Sequence, residues 1–406
     1  MKKTLIAVAA AAALTATSAF AEITFGAWLR VITGVGSNGE DVVMGTTNSW
    51  GGVRPARLNA AGTSEDGKAG FKLDFYFEND EIWGHDYNIR IGDNGYLWVK
   101  PIDQIQLSIG KFDGGETGLR GDFCYGSWNW LRPYNWIADD EGLTFKGSHK
   151  DGLMARITPI DNLVVLVQLP VMNAKWGGNN NGYVAKTETE DAKNTAADVF
   201  KNAAYMASYS IEGVGTLKAG FFGADDEKTV EGKKYNQTGT VNVAFDLNAI
   251  ENLYVTVGAF FDIADKEMGE WHEKMKFTAG ASYQVSDAMK FSVSGGYVKY
   301  MDKCSWLGNK DNAFGIGAGV DYVIMDGLTL NADVRYKNVG YGKKGDDGSV
   351  SFLAGVVKSV GGNASLQAGF QGSTNGCGLV QADTGIPAVE KDDFVWAIPV
   401  GLSVFF

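Results

Sequence analysis

Past residue 21, this 406-residue chain has no window approaching the eighteen consecutive apolar residues of a membrane-spanning helix, which excludes a helical membrane bundle. Positive charge is in deficit. Lys and Arg number 36 against 48 Asp and Glu, and the formal charge of -12 would repel nucleic-acid phosphates, so no nucleic-acid partner is expected. Cysteine is down to Cys124, Cys304 and Cys377, each in a segment that reads as a loop. With no CxxC and no nearby His pair they offer no zinc site, and an odd count leaves room for one disulfide or for none. The three histidines, His85, His149 and His272, are far apart and lie beside predicted loops or bulges, so no Ser-His nucleophile is laid out. The glycine run Gly315-Ile316-Gly317-Ala318-Gly319 has no helix after it and so lacks the context of a phosphate loop. Thr187 to Ala197, with Glu188, Glu190 and Asp191, reads as a short helix or outer loop and does not match a calcium loop. No catalytic residue, cofactor or metal is expected.

What the chain does have begins with an export signal. Lys2 and Lys3 precede an apolar stretch from Leu5 to Leu14, and Ala19-Phe20-Ala21 presents small residues for cleavage. Residues 1–21 are therefore read as a signal peptide and 22–406 as the mature unit, whose charge becomes -14 once Lys2 and Lys3 leave with residues 1–21.

In the mature part, alternation with a period of two dominates. Phe394, Trp396, Ile398, Val400, Leu402, Val404 and Phe406 fall on one face of a strand, against Ala397, Gly401 and Ser403 on the other. Phe71, Leu73, Phe75 and Phe77 likewise oppose Lys72, Asp74, Tyr76 and Glu78, and Leu328 to Tyr336 oppose Asn331, Asp333, Arg335 and Lys337. A soluble sandwich shares this pattern, but thirteen residues exceed its usual strand and suit a tilted membrane strand of about nine to eleven. Pro399, inside the last strand, lacks a ladder donor and predicts a local bulge.

Short turns alternate with long polar connections. Turns are expected at residues 249–252, 286–288, 325–327 and 360–362, and at the near-repeats Val99-Lys100-Pro101-Ile102-Asp103 and Ile157-Thr158-Pro159-Ile160-Asp161. Long connections are expected at residues 264–272, 301–312, 339–348 and 372–392. This is the rhythm of an all-β, up-and-down transmembrane barrel of about eighteen antiparallel strands, with sixteen as the alternative. The count treats Gly92 to Gly95 and Gly147 to Gly152 as bulges inside strands. Trp28, Tyr96, Trp98, Tyr297, Tyr300 and Trp396 are candidates for girdles at the membrane interfaces.

With its signal peptide, repeated strands and terminal Phe406 preceded by Val404, Leu402, Val400 and Ile398, the chain resembles the Gram-negative outer-membrane porins. The resemblance implies location in the bacterial outer membrane, contact with its lipid, recognition of Phe406 by the barrel assembly machinery and a homotrimer. It also implies a third loop folded into the barrel as a constriction, and residues 113–139 hold that ordinal place. Family constrictions oppose carboxylates to basic groups, so the candidates here are Asp113, Glu116, Asp122, Asp139, Asp140 and Glu141, with Arg120 and Arg132 in the same segment and Arg30, Arg54, Arg57 and Arg90 on the wall.

The leading expectation is a passive channel for small hydrophilic solutes and ions, preferring cations, and not an enzyme. A substrate-selective channel, for example for sugars, stays open, with Trp128, Trp130, Tyr134 and Trp136 as a stacking track. So does a surface adhesin or structural barrel acting through its outer loops.

Overall fold

Strict alternation makes long strands whose two faces meet different surroundings. The computed structural model describes residues 22–37, 41–47, 56–79, 87–113, 119, 144–146, 151–171, 195–269, 272–339, 348–374 and 394–406. Its first strands are β1 (Glu22–Ser37), β2 (Val42–Thr47), β3 (Ala56–Thr63), β4 (Ala69–Asn79), β5 (Tyr87–Ile102), β6 (Ile105–Lys111), β7 (Gly152–Ile157) and β8 (Leu163–Leu169). A short helix α1 (Ala196–Lys201) precedes β9 (Ala204–Ile211), β10 (Gly215–Val230), β11 (Lys233–Ile250), β12 (Leu253–Ala264), β13 (Glu273–Ser286) and β14 (Met289–Cys304). The last are β15 (Lys310–Met325), β16 (Leu328–Lys337), β17 (Ser349–Ser359), β18 (Ala364–Ser373) and β19 (Val395–Phe405).

Every pair of neighbouring strands among the described residues is antiparallel, and β19 returns to β1, so the sheet closes on itself. β1 pairs through Glu22–Leu29 with β3 and through Ile32–Ser37 with β2. β2 and β3 therefore share one position in the wall, and the nineteen segments make an eighteen-position barrel, as the strand count from sequence expects. The seam is tied at its end by two backbone hydrogen bonds between Ala27 and Phe406, at 3.0 and 2.8 Å.

The phase of each strand agrees with the sequence pattern. Along β19, Ile398, Val400 and Leu402 are exposed while Val395, Ala397 and Ser403 are buried. The same split puts Leu29 and Val31 outside against Arg30 and Ile32 inside, and Val334 outside against Asp333 and Arg335 inside. The outward band is apolar because a charge there is costly, about 2–4 kcal/mol for a Lys or Arg at the midplane.

Pro399 is accommodated without the expected bulge. Its register with β1 is unbroken, facing Gly34, where an added Cβ would lie 3.3 Å from the Pro399 Cα. On the other side the ladder with β18 omits the pairs at Gly369 and Phe370, where a donor from Pro399 would have bonded.

One end of the barrel carries eight short turns, at residues 64–68, 103–104, 158–162, 212–214, 251–252, 287–288, 326–327 and 360–363, and one more, at residues 231–232 between β10 and β11, lies at the opposite end. Asn252, Gly327 and Gly361 take φ of 63, 69 and 70°, the left-handed conformation these tight turns demand. The bulge expected near Gly92 is present: Leu73 faces Gly95 and Phe75 faces Ile91, so β5 carries two extra residues there.

Several expectations are corrected. Residues 301–312 are not a long loop: β14 and β15 extend into a 3₁₀ turn at Ser305–Leu307, and Cys304 ends β14 as a buried residue with its thiol 3.7 Å from the Asp302 carbonyl. Of the girdle candidates, Trp28, Tyr96, Trp98 and Tyr300 have the parity of the inner face, and only Tyr297 and Trp396 point outward. Proximity to a strand end says nothing about face; parity decides it. The signal peptide, Cys124, Cys377, His85, His149 and the Gly147 bulge lie outside the described residues.

Candidate functional site

The bulge in β5 re-aims side chains into the barrel. It brings Asp93 and Asn94 beside Asp74 and Tyr76 of β4 and Arg57 of β3, and Gly92 leaves room for Asp74 and Tyr76, since a Cβ there would come to 3.0 Å from the Tyr76 ring and 3.1 Å from the Asp74 Cβ. Arg57 Nη2 donates to Asp74 Oδ2 at 2.5 Å, its Nε donates to Asn59 Oδ1 at 2.8 Å, and its Nη1 stands 3.7 Å from Asp93. The guanidinium lies 5.5 Å from the Tyr76 ring centroid, and the Tyr76 hydroxyl donates to Asp93. Asn94 donates to Asp74 Oδ2 through its backbone N–H at 3.1 Å and through Nδ2 at 2.8 Å. Asp74 is wholly buried, so its charge is tolerable only with these donors around it.

The same asparagine holds the start of the long connection between β6 and β7, the third at this end of the barrel. Asn94 Oδ1 accepts from the Asp113 N–H at 3.0 Å, and Asp151 accepts from the Phe112 N–H at 3.2 Å. The described residues of this connection turn inward. Leu119 and Phe145 join Phe112, Met154, Leu166, Met206 and Ala244 in an apolar cluster on the inner face of β6 to β11.

The returning limb crosses to the wall a hundred residues further on. Asn242 Nδ2 donates to the Thr144 carbonyl at 3.0 Å, the Lys146 N–H donates to Asn242 Oδ1 at 3.3 Å, and the Thr144 and Thr256 hydroxyls lie 2.6 Å apart. Thr256 in turn donates to Asp246 at 2.6 Å, which accepts the Lys218 ammonium at 2.7 Å. Phe145 is completely buried and meets Phe222 edge-on at 6.0 Å. Burying one phenylalanine stabilises by about 1.5–3 kcal/mol and each hydrogen bond by about 1, enough to hold the limb on the wall.

This contact has a direct test. With Cys124, Cys304 and Cys377 replaced by serine, Thr144→Cys with Thr256→Cys is expected to form a disulfide on mild oxidation, seen as a mobility shift that reductant reverses. No crosslink after complete oxidation would refute the placement of the limb.

Of the wall residues anticipated for the constriction, Arg30 lies on the inner face of β1 with its guanidinium 5.3 Å from the Trp28 ring, and Arg57 anchors the network above. Arg90 sits on β5 opposite Tyr76 in the ladder. Asp113 is at the base of the connection. Arg54, Glu116, Arg120, Asp122, Arg132, Asp139, Asp140 and Glu141, with Trp128, Trp130, Tyr134 and Trp136, lie outside the described residues. Asp74, Asp93, Asn242 and Thr256 were not among the candidates. The polar face of β4, with Asp74 and Tyr76 together, was the available signal for the first.

A family model described as Gram-negative porin matches residues 7–342. No curated protein matches the sequence. Among solved structures, the chain is similar to an anion-selective porin from Comamonas acidovorans, at 14% identity over 95% of this chain and 99% of that one, with a TM-score of 0.54. The outer membrane channel DcaP of Acinetobacter baumannii is similar at 10% identity over 95% and 97%, with a TM-score of 0.47. Identities this low speak for the fold alone, whereas the family match spans most of the strands that build the wall. The family match covers most of the closed barrel with its apolar outer band and polar inner face, and the chain belongs to the Gram-negative porin family, channel-forming barrels of the bacterial outer membrane.

Proposed function

We propose that this porin is a passive diffusion channel for small hydrophilic solutes and ions with a preference for cations, constricted where Arg30, Arg57 and Asp113 approach the inward loop. The described inner wall carries both signs, with Arg30, Arg57, Lys72, Arg156, Lys218, Lys276, Lys290, Arg335 and Lys337 against Asp74, Asp93, Asp246, Asp262, Asp321 and Asp333, so it does not itself supply the preference. Carboxylates are frequent at the turn end of the barrel. Seven of the eight short turns carry a carboxylate: Glu65 with Asp66, Asp103, Asp161, Glu212, Glu251, Asp287 and Asp326. That ring is the observation carrying the preference, since rings of Asp and Glu concentrate cations at a pore entrance. In the first of these turns, a hydrogen bond from the Ser64 hydroxyl and another from the Lys68 N–H hold the Asp66 carboxyl below its ordinary range, so its charge persists in mildly acid medium.

A mouth ring in open solvent acts within a Debye length, about 10 Å at 0.1 M salt and 3 Å at 1 M. Planar-bilayer recordings across a KCl gradient are therefore expected to show stable conducting steps and a cation-directed reversal potential at low salt that shrinks toward zero near molar salt. Asp103→Lys with Asp161→Lys and Asp326→Lys moves it toward anions. No conductance sinks the channel reading, and an anion-directed potential in the native chain sinks the preference.

Three further assignments belong to the same proposal: removal of residues 1–21 on export, a homotrimer in the membrane, and recognition of Phe406 by the assembly machinery. The last is supported by the Phe406 side chain, 74% exposed at the turn end beside the β1–β19 seam.

A further inference from the structure

Between the contact of Thr144 with the wall and the long-loop end, the returning limb and strands β10 to β13 enclose a partly open cavity of about 430 Å³. Its size falls in the range of small-molecule sites, roughly 300–1,000 Å³. It lies on the wall of β10 to β13, away from the Arg57 network of β3 to β5.

The cavity has two charged poles. Asp262 of β12 has a side chain only 6% exposed, and Gln237 Nε2 fixes its orientation by donating to Oδ1 at 2.7 Å and Oδ2 at 2.9 Å. His272 Nδ1 lies 3.5 Å from the same carboxylate, and Glu273 adds a second acid to that end of the lining. At the other end the Lys146 ammonium stands over the Phe260 ring, 5.5 Å from its centroid, a placement that holds a flexible side chain in position. Phe260 and Asp262 are two residues apart on one strand face, about 6.6 Å along the strand, which sets the two poles at different heights on the wall.

Each simpler occupant meets an obstacle. A metal cation would face Lys146, a simple anion would face Asp262 and Glu273, and a sugar would find the Phe260 face already covered by the ammonium and Phe222 engaged with Phe145. We propose that this cavity is a recognition site for small zwitterions, free amino acids or dipeptides, whose carboxylate meets Lys146 and whose ammonium meets Asp262 and Glu273. Its role as a stop on the solute path rests on the channel reading; the binding itself does not.

Binding is therefore measured apart from conduction, by saturation-transfer NMR on the refolded full-length protein in detergent micelles, with alanylalanine as the probe. Saturable transfer is expected, at least ten-fold weaker for N-acetyl-alanylalanine and for alanylalanine amide, each lacking one charge. Lys146→Gln and Glu273→Gln should each weaken the unmodified dipeptide by a similar factor, with folding of both confirmed by heat-modifiable gel migration. Absence of transfer, equal transfer to all three probes, undiminished binding by folded Lys146→Gln, or binding of maltose in place of the dipeptide would overturn the site. A protein that binds alanylalanine yet conducts no KCl in bilayers would leave the site standing and refute the channel.

Discussion

Gly258→Val is expected to convert a steady channel into a flickering one while leaving the barrel folded. Gly258 lies on the inner face of β12 under the returning loop limb, and a Cβ built there would fall 2.7 Å from the Thr144 Cα and 2.8 Å from its carbonyl carbon. Such distances cannot be absorbed by a side-chain rotation, because the obstacle is backbone. Either the wall or the limb must give way. The wall is held by continuous ladders on both sides of β12, from Thr240 through Leu247 on β11 and from Met275 through Tyr283 on β13. The limb has Phe145 and three hydrogen bonds, so moving it costs a few kcal/mol at most, and the clash itself costs about 1–3. The clash therefore cancels much of the anchoring of the limb and leaves the wall in place. Every 1.4 kcal/mol lost raises the released population about tenfold, and a released limb fluctuates across the lumen. Single-channel records should show excess open-channel noise and short closures, with native heat-modifiable migration on gels. A record as quiet as the native one would mean that the limb is not seated where Asn242 and Thr256 place it.

How much of this was legible in sequence follows from the range of the interactions involved. Alternation is local, so Phe394 to Phe406 announced its lipid face, and the polar faces of β4 and β16 were assigned correctly before any neighbour was known. The eighteen positions followed from treating Gly92 to Gly95 as a bulge, which the pairing of Leu73 with Gly95 and Phe75 with Ile91 bears out. Parity was also readable for Trp28, which shares a face with Arg30, yet its place near a strand end suggested a girdle. The inner network was half legible. Arg57 was singled out, but carboxylates were sought in the loop, while its partner Asp74 lies on the adjacent strand, seventeen residues away. The docking of Thr144 on Asn242 and Thr256 spans 98 and 112 residues and depends on the curvature of a closed barrel, which no local pattern encodes. Pro399 is the reverse case: a rule about single strands predicted a bulge, and the neighbours absorbed the missing donor instead.

Asp74 is where the second large effect is expected, and two variants separate its charge from its shape. Asp74 Oδ2 accepts from Arg57 and twice from Asn94, and Asn94 in turn holds the Asp113 N–H at the base of the inward loop. Asp74→Ala removes every acceptor at once. Arg57 keeps Asn59 and a longer contact with Asp93, and Asn94 loses the partner that orients it. Breaking a buried pair from one side costs about 3–5 kcal/mol, and the Arg57 side chain is 20% exposed to the lumen, so the lower end is expected, with a clear fall in the urea midpoint. Asp74→Asn keeps an acceptor oxygen for Arg57 or Asn94 and should retain more of that stability, yet it removes the same negative charge from the inner wall. Charge set in a low-dielectric wall projects into the lumen, so both variants should move the reversal potential toward anions by similar amounts. That combination, unequal stability with equal selectivity, distinguishes a pore-field carboxylate from a merely structural one. Unchanged selectivity in folded Asp74→Asn would assign Asp74 to the scaffold and leave ion sorting to the mouths.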